Sequence, residues 1–289
     1  FKQKTAYEIS TRDWSSDVCS SDLPLTPPVI PTPSFAKPAP RIRDVGADDV
    51  LAALAAGLED FRAAPLYGLA FGGVYALGGL FLLWLTIGLG VGYLAYPFAT
   101  GFALLGPFVA VGCYEVSRRR ETGESLDPAG VFGAIFRQGG RELGWMAFVT
   151  LFVFIVWMYQ VRVLFILTLG LQGFATLAEF GHAIATTGNG WLFVALVHLD
   201  GLFFALVTFS LTVISFPLLL DRDVDFITAM ITSVQTVLKN PRTMVSWGLV
   251  VAGLLFLSLL PAFLGLFVTL PVLGHATWHL YRRVVLPAG

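Results

Sequence analysis

The polar residues of this chain are gathered into short stretches, and the intervals between them are apolar over lengths that suit a bilayer. No Asp, Glu, Lys or Arg occurs from Ala63 to Tyr114, and none from Thr243 to Tyr281. A spanning helix needs roughly 20 apolar residues at about 1.5 Å of rise each, so each interval is long enough to cross twice. The pattern predicts spans at 67–88, 94–114, 143–167, 199–220, 244–260 and 263–281. A glycine-rich turn, Gly88–Gly92, separates the first two, and Gly170–Leu196 reads as a looser, partly helical connection. Pro261 and Gly265 break the last tract into two short spans; five spans, with that tract crossing once, is the alternative.

Three shorter segments show the helical period. Asp48–Arg62 sets Val50, Leu54, Leu58 and Phe61 on one face, with Asp48 or Asp49 available as a cap and Pro65 beyond its end. Val131–Arg141 and Asp225–Leu238 are the other two. The expected fold class is therefore all-α: a polytopic transmembrane bundle of about six spans with amphipathic helices on its cytoplasmic side.

The two ends of the chain echo each other. An offset of 176 residues places Asp49 on Asp225, Ala53 on Ala229, Pro65 on Pro241 and Gly72 on Gly248. An offset of 164 places Pro97 on Pro261, Gly101 on Gly265, Pro107 on Pro271 and the pair Arg118, Arg119 on Arg282, Arg283. Each end reads as one unit: amphipathic helix, proline, hairpin of two spans, paired arginines. Both units start and finish on the same side, which makes a parallel repeat. Transporters use such repeats, with sites at the repeat interface and at broken helices, although duplication of a stable hairpin is a sufficient explanation.

Composition agrees with the pattern. Hydrophobic residues make up 56% and charged residues 13%, against about 25% charged in a soluble domain. The mean hydropathy is +0.77. Net charge is −1, which argues against a nucleic-acid partner. Cys19 and Cys113 give neither a disulfide framework nor a metal-ligand spacing. Past residue 23, fourteen basic residues fall on one side of the expected spans and only Arg162 on the other. The positive-inside rule then puts both termini in the cytoplasm.

The first residues stand apart. Phe1–Leu23 is polar, lacks the apolar core of a signal peptide, and resembles the adapter-derived read-through that precedes many unrelated environmental translations. It is set aside as an artefact. Residues 24–40 are proline-rich and read as a disordered lead-in, which leaves 41–289 as a single transmembrane domain.

Four stretches carry a family resemblance: Pro65–Gly79 (PLYGLAFGGVYALGG), Gly106–Glu121 (GPFVAVGCYEVSRRRE), Ser215–Val234 (SFPLLLDRDVDFITAMITSV) and Leu270–Arg283 (LPVLGHATWHLYRR). Together they resemble the bacterial integral membrane family called domain of unknown function 2189. The resemblance implies an inner-membrane location and no established activity. Some relatives carry labels connecting them with cytochrome oxidase subunits, which nothing in this chain supports independently.

Few residues offer chemistry. His275 and His279, four apart, share a helical face and are the candidate metal, axial-ligand or proton-relay pair. HATWH lacks the Glu of a hydrolytic zinc helix, and the plain alternative is a structural role. Their repeat counterparts are Val111 and Glu115, so a bundle built on the repeat can bring Glu115 toward His279. Arg162, His198 and Asp200 form a second polar network, with Arg162 and Asp200 expected to pair across a hairpin or to snorkel. Glu115 with Arg118–Arg120, and Asp221, Arg222, Asp223 and Asp225, read as topology anchors and caps, or as a salt-bridge gate linking the repeats. Gly68 and Gly72 make a small-xxx-small pair for close helix contact. Tyr93, Tyr96, Trp191, Trp247 and Trp278 read as interfacial anchors.

No catalytic residue is identified, since no nucleophile elbow or HExxH appears. No cofactor is expected, with haem or a metal at the histidines as the exception. Expected partners are membrane lipids and a second copy or another membrane protein. Three functions stay open: transport of a small solute, ion or lipid; membrane organisation or partner binding; and a respiratory or redox accessory role.

Overall fold

The computed structural model describes residues 40–85, 106–138, 141–171, 174 and 177–286. Among them the regular structure is helical, with one isolated antiparallel bridge between Ile42 and Val285. The helices are α1 (Ala47–Ala63), α2 (Pro65–Leu83), α3 (Gly106–Thr122), α4 (Pro128–Gln138), α5 (Arg141–Leu169), α6 (Leu177–Thr186), α7 (Gly188–Thr212), α8 (Ser215–Asp221), α9 (Phe226–Lys239), α10 (Pro241–Leu259) and α11 (Leu266–Val284). The leader, nearly all of the proline-rich stretch, the turn at Gly88–Gly92 and the first half of the expected second span lie outside the described residues.

Four described stretches are long and apolar enough to cross a membrane: Pro65–Leu83, Glu142–Leu169, Gly188–Asp221 and Pro241–Leu259. The expected fourth span begins earlier than 199. Thr187 caps α7, its hydroxyl accepting from Gly190 N at 2.9 Å, so the polar GNG segment fills a first helical turn instead of breaking the chain. Arg141, expected at the end of the second amphipathic segment, opens α5 instead. α11 is not among the four stretches, because His275, His279, Arg282 and Arg283 occupy its second half.

α11 is the centre of the packing, with α1, α2, α3 and α10 around it. The approach of α1 and α2 is close because glycines face it. A Cβ on Gly57 would lie 2.6 Å from Ala276 N, and one on Gly72 would lie 2.7 Å from Leu266 O. Both Gly68 and Gly72 of the expected small-residue pair are buried in this contact. The buried face of α1 is Val50, Ala53, Gly57 and Asp60, whereas Leu54, Leu58 and Phe61 are only half-buried. α9 behaves in the same way, burying Ala229, Thr232, Ser233 and Thr236. In both helices small side chains make the closest helix contact; in α9 Ile227, Ile231 and Leu238 face outward, whereas Leu54, Leu58 and Phe61 of α1 flank the contact.

Residues 41–46 lie across the ends of both repeat units. Arg43 N donates to Val284 O at 2.8 Å and Leu286 N to Arg41 O at 3.0 Å. Asn240 accepts from Val45 N at 2.9 Å, Thr243 donates to Val45 O at 2.8 Å, and Lys239 donates to Ile42 O at 2.6 Å. α5 and α7 form a separate antiparallel pair, joined near one end by Phe165, Phe174, Phe180 and Phe193.

Candidate functional site

The polar groups that the structure brings together lie where α1, α3 and α11 meet. Glu115, Arg118 and Arg119 share one face of α3 by their three- and four-residue spacing. Arg118 holds Glu115 through two bonds of 2.8 and 3.0 Å, and Arg119 Nε donates to it at 2.6 Å. Glu115 is 1% exposed, and both arginines meet it in this buried position. Arg118 reaches on to Glu124 at 2.8 Å, and the carboxylates, Glu115 first, hold its pKa above the ordinary arginine value.

The glycine approach at Gly57 sets the next layer. With α1 laid directly on α11, Asp60 comes within 2.7 Å of His279 Nε2, while Arg120 Nε of α3 donates to its other oxygen at 2.7 Å. Burial pushes the Asp60 carboxyl up, but hydrogen bonds from His279 and Ser117 and the histidine's charge outweigh it, so its pKa lies below the ordinary value. Glu115 thus goes to arginines of its own helix and not to His279. Asp60, which sequence reasoning treated only as part of an amphipathic segment, takes that place.

His275 faces the same helices but has a different partner. Its Nδ1 is 2.8 Å from Ser117 Oγ, and both residues have no exposure. The other ring nitrogen, Nε2, is buried and has no hydrogen-bond partner. The contacts His279–Asp60 and His275–Ser117 thus lie in one cluster, the first with a half-buried imidazole and the second with a fully buried one. Burial keeps substrate from Ser117 and His275, so this is not a hydrolytic arrangement. Among the described residues no three His, Cys, Asp or Glu side chains converge as metal ligands.

A second ring of contacts closes the end. Trp278 Nε1 and Arg282 Nε donate to Glu121 at 3.1 and 3.0 Å. Tyr281 OH and Arg282 donate to Asp221 at 2.6 and 3.2 Å, tying α11 to α8. Asp225 caps α9, accepting from Thr228 N at 2.9 Å. Trp247 and Trp278, expected as interfacial anchors, are fully buried, while Trp191 is exposed.

The other expected network is distributed differently. Trp157 opposes Gly201 and Phe165 opposes Phe193, which sets Asp200 opposite Met158. Arg162 lies one turn away, about 6 Å along α5. No ion pair joins Arg162 and Asp200 among the described residues, and Asp200 Oδ2 is buried without a hydrogen-bond partner. His198 Nδ1 is 2.7 Å from Val194 O of its own helix. Arg162 instead lines a mostly apolar cavity of about 430 Å³ with Met158, Tyr159, Val161 and Phe165.

Long apolar helices around a closed polar end define a polytopic α-helical membrane protein. The family model described as predicted integral membrane protein (DUF2189) matches residues 95–221, so the resemblance read from the sequence holds for this segment. Gly106–Glu121 lies inside the match and Ser215–Val234 enters it, whereas Pro65–Gly79 and Leu270–Arg283 lie beyond it. No curated protein and no solved structure matches the chain.

Proposed function

We propose that this protein transports a small solute or ion across the inner membrane, with both termini in the cytoplasm and the α1–α3–α11 cluster as its cytoplasmic gate. The observation that carries the reading is the cluster of the contacts His279–Asp60 and Ser117–His275, with a fully buried imidazole whose Nε2 has no partner. Ionisable groups taken out of water at a membrane boundary are costly, and they are commonly kept for moving charge or protons. Proton uptake at the unpartnered His275 nitrogen places a positive charge beside Asp60 in the α1–α3–α11 contact, which couples protonation to the packing of α1 on α11. The proposal includes no cofactor. Proteoliposomes with an internal pH dye test it against a panel of ions and small solutes. Wild type is expected to give proton-coupled flux that His275→Gln abolishes while remaining folded. Flux equal to empty vesicles throughout the panel, or unchanged in His275→Gln, overturns it.

A second reading, membrane organisation, rests on a different observation. The outward face of α9 carries Ile227, Ile231 and Leu238, which are 52%, 51% and 73% exposed. Such a face suits lipid, a second copy or a membrane partner. Chemical cross-linking in native membranes, with a stoichiometric adduct lost in Ile231→Lys, favours this reading over transport.

A further inference from the structure

The last two helices were expected to cross the membrane as a pair of short spans, and three observations on their turn bear on how far they go. The first is depth. The ring of Phe263, in the turn between α10 and α11, lies against Gly79 of α2, where a Cβ would be 2.6 Å from Cδ1. Gly79 is about 21 Å along α2 from Pro65, and the helical chain runs about 9 Å further to Leu85. The Phe263 ring therefore meets α2 about 6 Å before its last residue, Leu83.

The second is composition. Leu259, Leu260, Pro261, Ala262, Phe263, Leu264 and Gly265 contain no polar side chain, yet Leu260 is 67% and Leu264 53% exposed. Before the turn, Phe256 and Leu257 are 64% and 58% exposed. On the return, α11 is apolar only from Leu266 to Gly274, about 14 Å, before His275 enters the polar cluster. That is less than half of a hydrocarbon core of about 30 Å.

The third is the backbone. Irregular chain at lipid depth survives only where its donors are satisfied. Here Phe263 N bonds Leu259 O, Leu264 N bonds Pro261 O, Leu266 N bonds Phe263 O and Phe267 N bonds Leu264 O, at 3.0–3.3 Å, while the N–H groups of Ala262 and Gly265 have no backbone acceptor among the described residues. Ser258 Oγ donates to Leu254 O at 2.7 Å and also meets Thr269 Oγ1 across the hairpin at 2.7 Å. Ala262 and Phe263 adopt left-handed φ values of 49° and 67° to make this turn, a conformation that is unfavourable for non-glycine residues. The strain is held by the seat of Phe263 on Gly79.

We propose that α10 and α11 form a re-entrant hairpin, which enters from the arginine-rich side, turns back within the bilayer and presents its 259–265 tip to lipid acyl chains. Both ends of the hairpin stay on the side where a crossing pair would leave them, so the distribution of basic residues is the same for either arrangement. The test uses the full chain in phosphatidylcholine vesicles, with Cys19→Ser and Cys113→Ala removing the native thiols. Ala262→Cys is then treated with a membrane-impermeant sulfonated maleimide from each side. It is expected to be unreactive from both sides and reactive after denaturation in detergent, while Leu171→Cys, beyond the far end of α5, reacts from the far side. A bimane attached at 262 before reconstitution is expected to be quenched by phospholipids brominated on their acyl chains. Labelling of Ala262→Cys from the far side in intact vesicles overturns the proposal. Leu264→Cys reports the same position if Ala262→Cys fails to fold. The absence of solute flux leaves this outcome untouched, so the two proposals fail separately.

Discussion

The two repeat units, α1–α2 and α9–α10, are built to one plan and used for different purposes. α1 ends at Ala63 and α9 at Lys239; α2 runs from Pro65 to Leu83 and α10 from Pro241 to Leu259, so the offset of 176 holds at these three boundaries, while α9 begins three residues later than α1 by the same offset. The junction residues share an unusual conformation, φ −133° and ψ 55° at Ala64 against φ −119° and ψ 51° at Asn240. The buried faces also correspond, with Ala53, Gly57 and Asp60 on one side and Ala229, Ser233 and Thr236 on the other. Only the first unit carries a charge there. Asp60 binds Arg120 and His279, whereas Thr236 donates to Thr232 O of its own helix at 2.8 Å. The shared plan thus serves packing, and the polar chemistry is an addition to one copy.

The comparison breaks most sharply at that position. Asp60→Ala leaves Arg120 and His279 facing an apolar gap, and a loss of about 3–5 kcal/mol is expected from removing one partner of a buried ion pair. Thr236→Val removes a bond internal to one helix, for which about 1 kcal/mol or less is expected. Denaturant titration in mild detergent reads both, and equal losses would mean that the two units carry equal electrostatic weight.

Next in size is the helix contact itself. Gly57→Ala puts a methyl group 2.6 Å from the backbone of Ala276, and such overpacking typically costs about 1–3 kcal/mol. The matching Ser233→Ala takes away the acceptor of Ile214 N, bonded at 3.1 Å, so its cost arises from an unsatisfied donor instead. In the first case the methyl group also lies 2.8 Å from Val272 O, so Ala276→Gly, which removes only a Cβ, is not expected to restore stability in a double mutant; in the second no cavity change will either.

Acidification separates the units in another way. The Asp60 pKa is lower in the folded protein than in the unfolded chain, so its contribution is present above the ordinary carboxylate pKa and is lost as pH falls through the lowered one. Thermal midpoints measured from neutral pH into the acid range should fall there, and Asp60→Asn should flatten that limb. Mutating Thr236 should leave its shape unchanged.

The smallest effect is expected at the junctions. Asn240→Ala loses the bonds to Val45 N and Arg43 O, about 1–2 kcal/mol. Ala64→Ser, at the matching place, makes or breaks no such bond and should be nearly silent in the same titration.

Much of this was legible in the sequence. The Pro65 and Pro241 correspondence located both junctions, and the paired arginines marked the polar end. Helical spacing set Glu115 beside Arg118 and Arg119. Asp60 was not legible as a site residue, because hydrophobic periodicity drew attention to Val50, Leu54, Leu58 and Phe61. The contact runs through Ala53, Gly57 and Asp60, a stripe that hydropathy ranks low but close helix packing requires. His275 and His279 were recognised as a pair on one helix, yet each takes a partner from a different neighbouring helix. Which neighbour lies where is decided by tertiary packing and not by spacing. Arg162 and Asp200 shared a hairpin end in the sequence pattern, but the register of α5 on α7 sets them a turn apart.

The seat of α1 on α11 also dictates when the molecule can be finished. α1 is the first described helix to leave the ribosome, and its principal partner is the last. Spans between them are inserted while the glycine and aspartate stripe of α1 is still uncovered, and closure waits for residues 266–286 to emerge. Contacts so distant along the chain are slow to form because the intervening loop must be ordered first. A nascent chain interrupted before α11 presents an Asp60 without His279 and a bare small-residue face, which is a signal that membrane proteases and chaperones can read as incomplete synthesis.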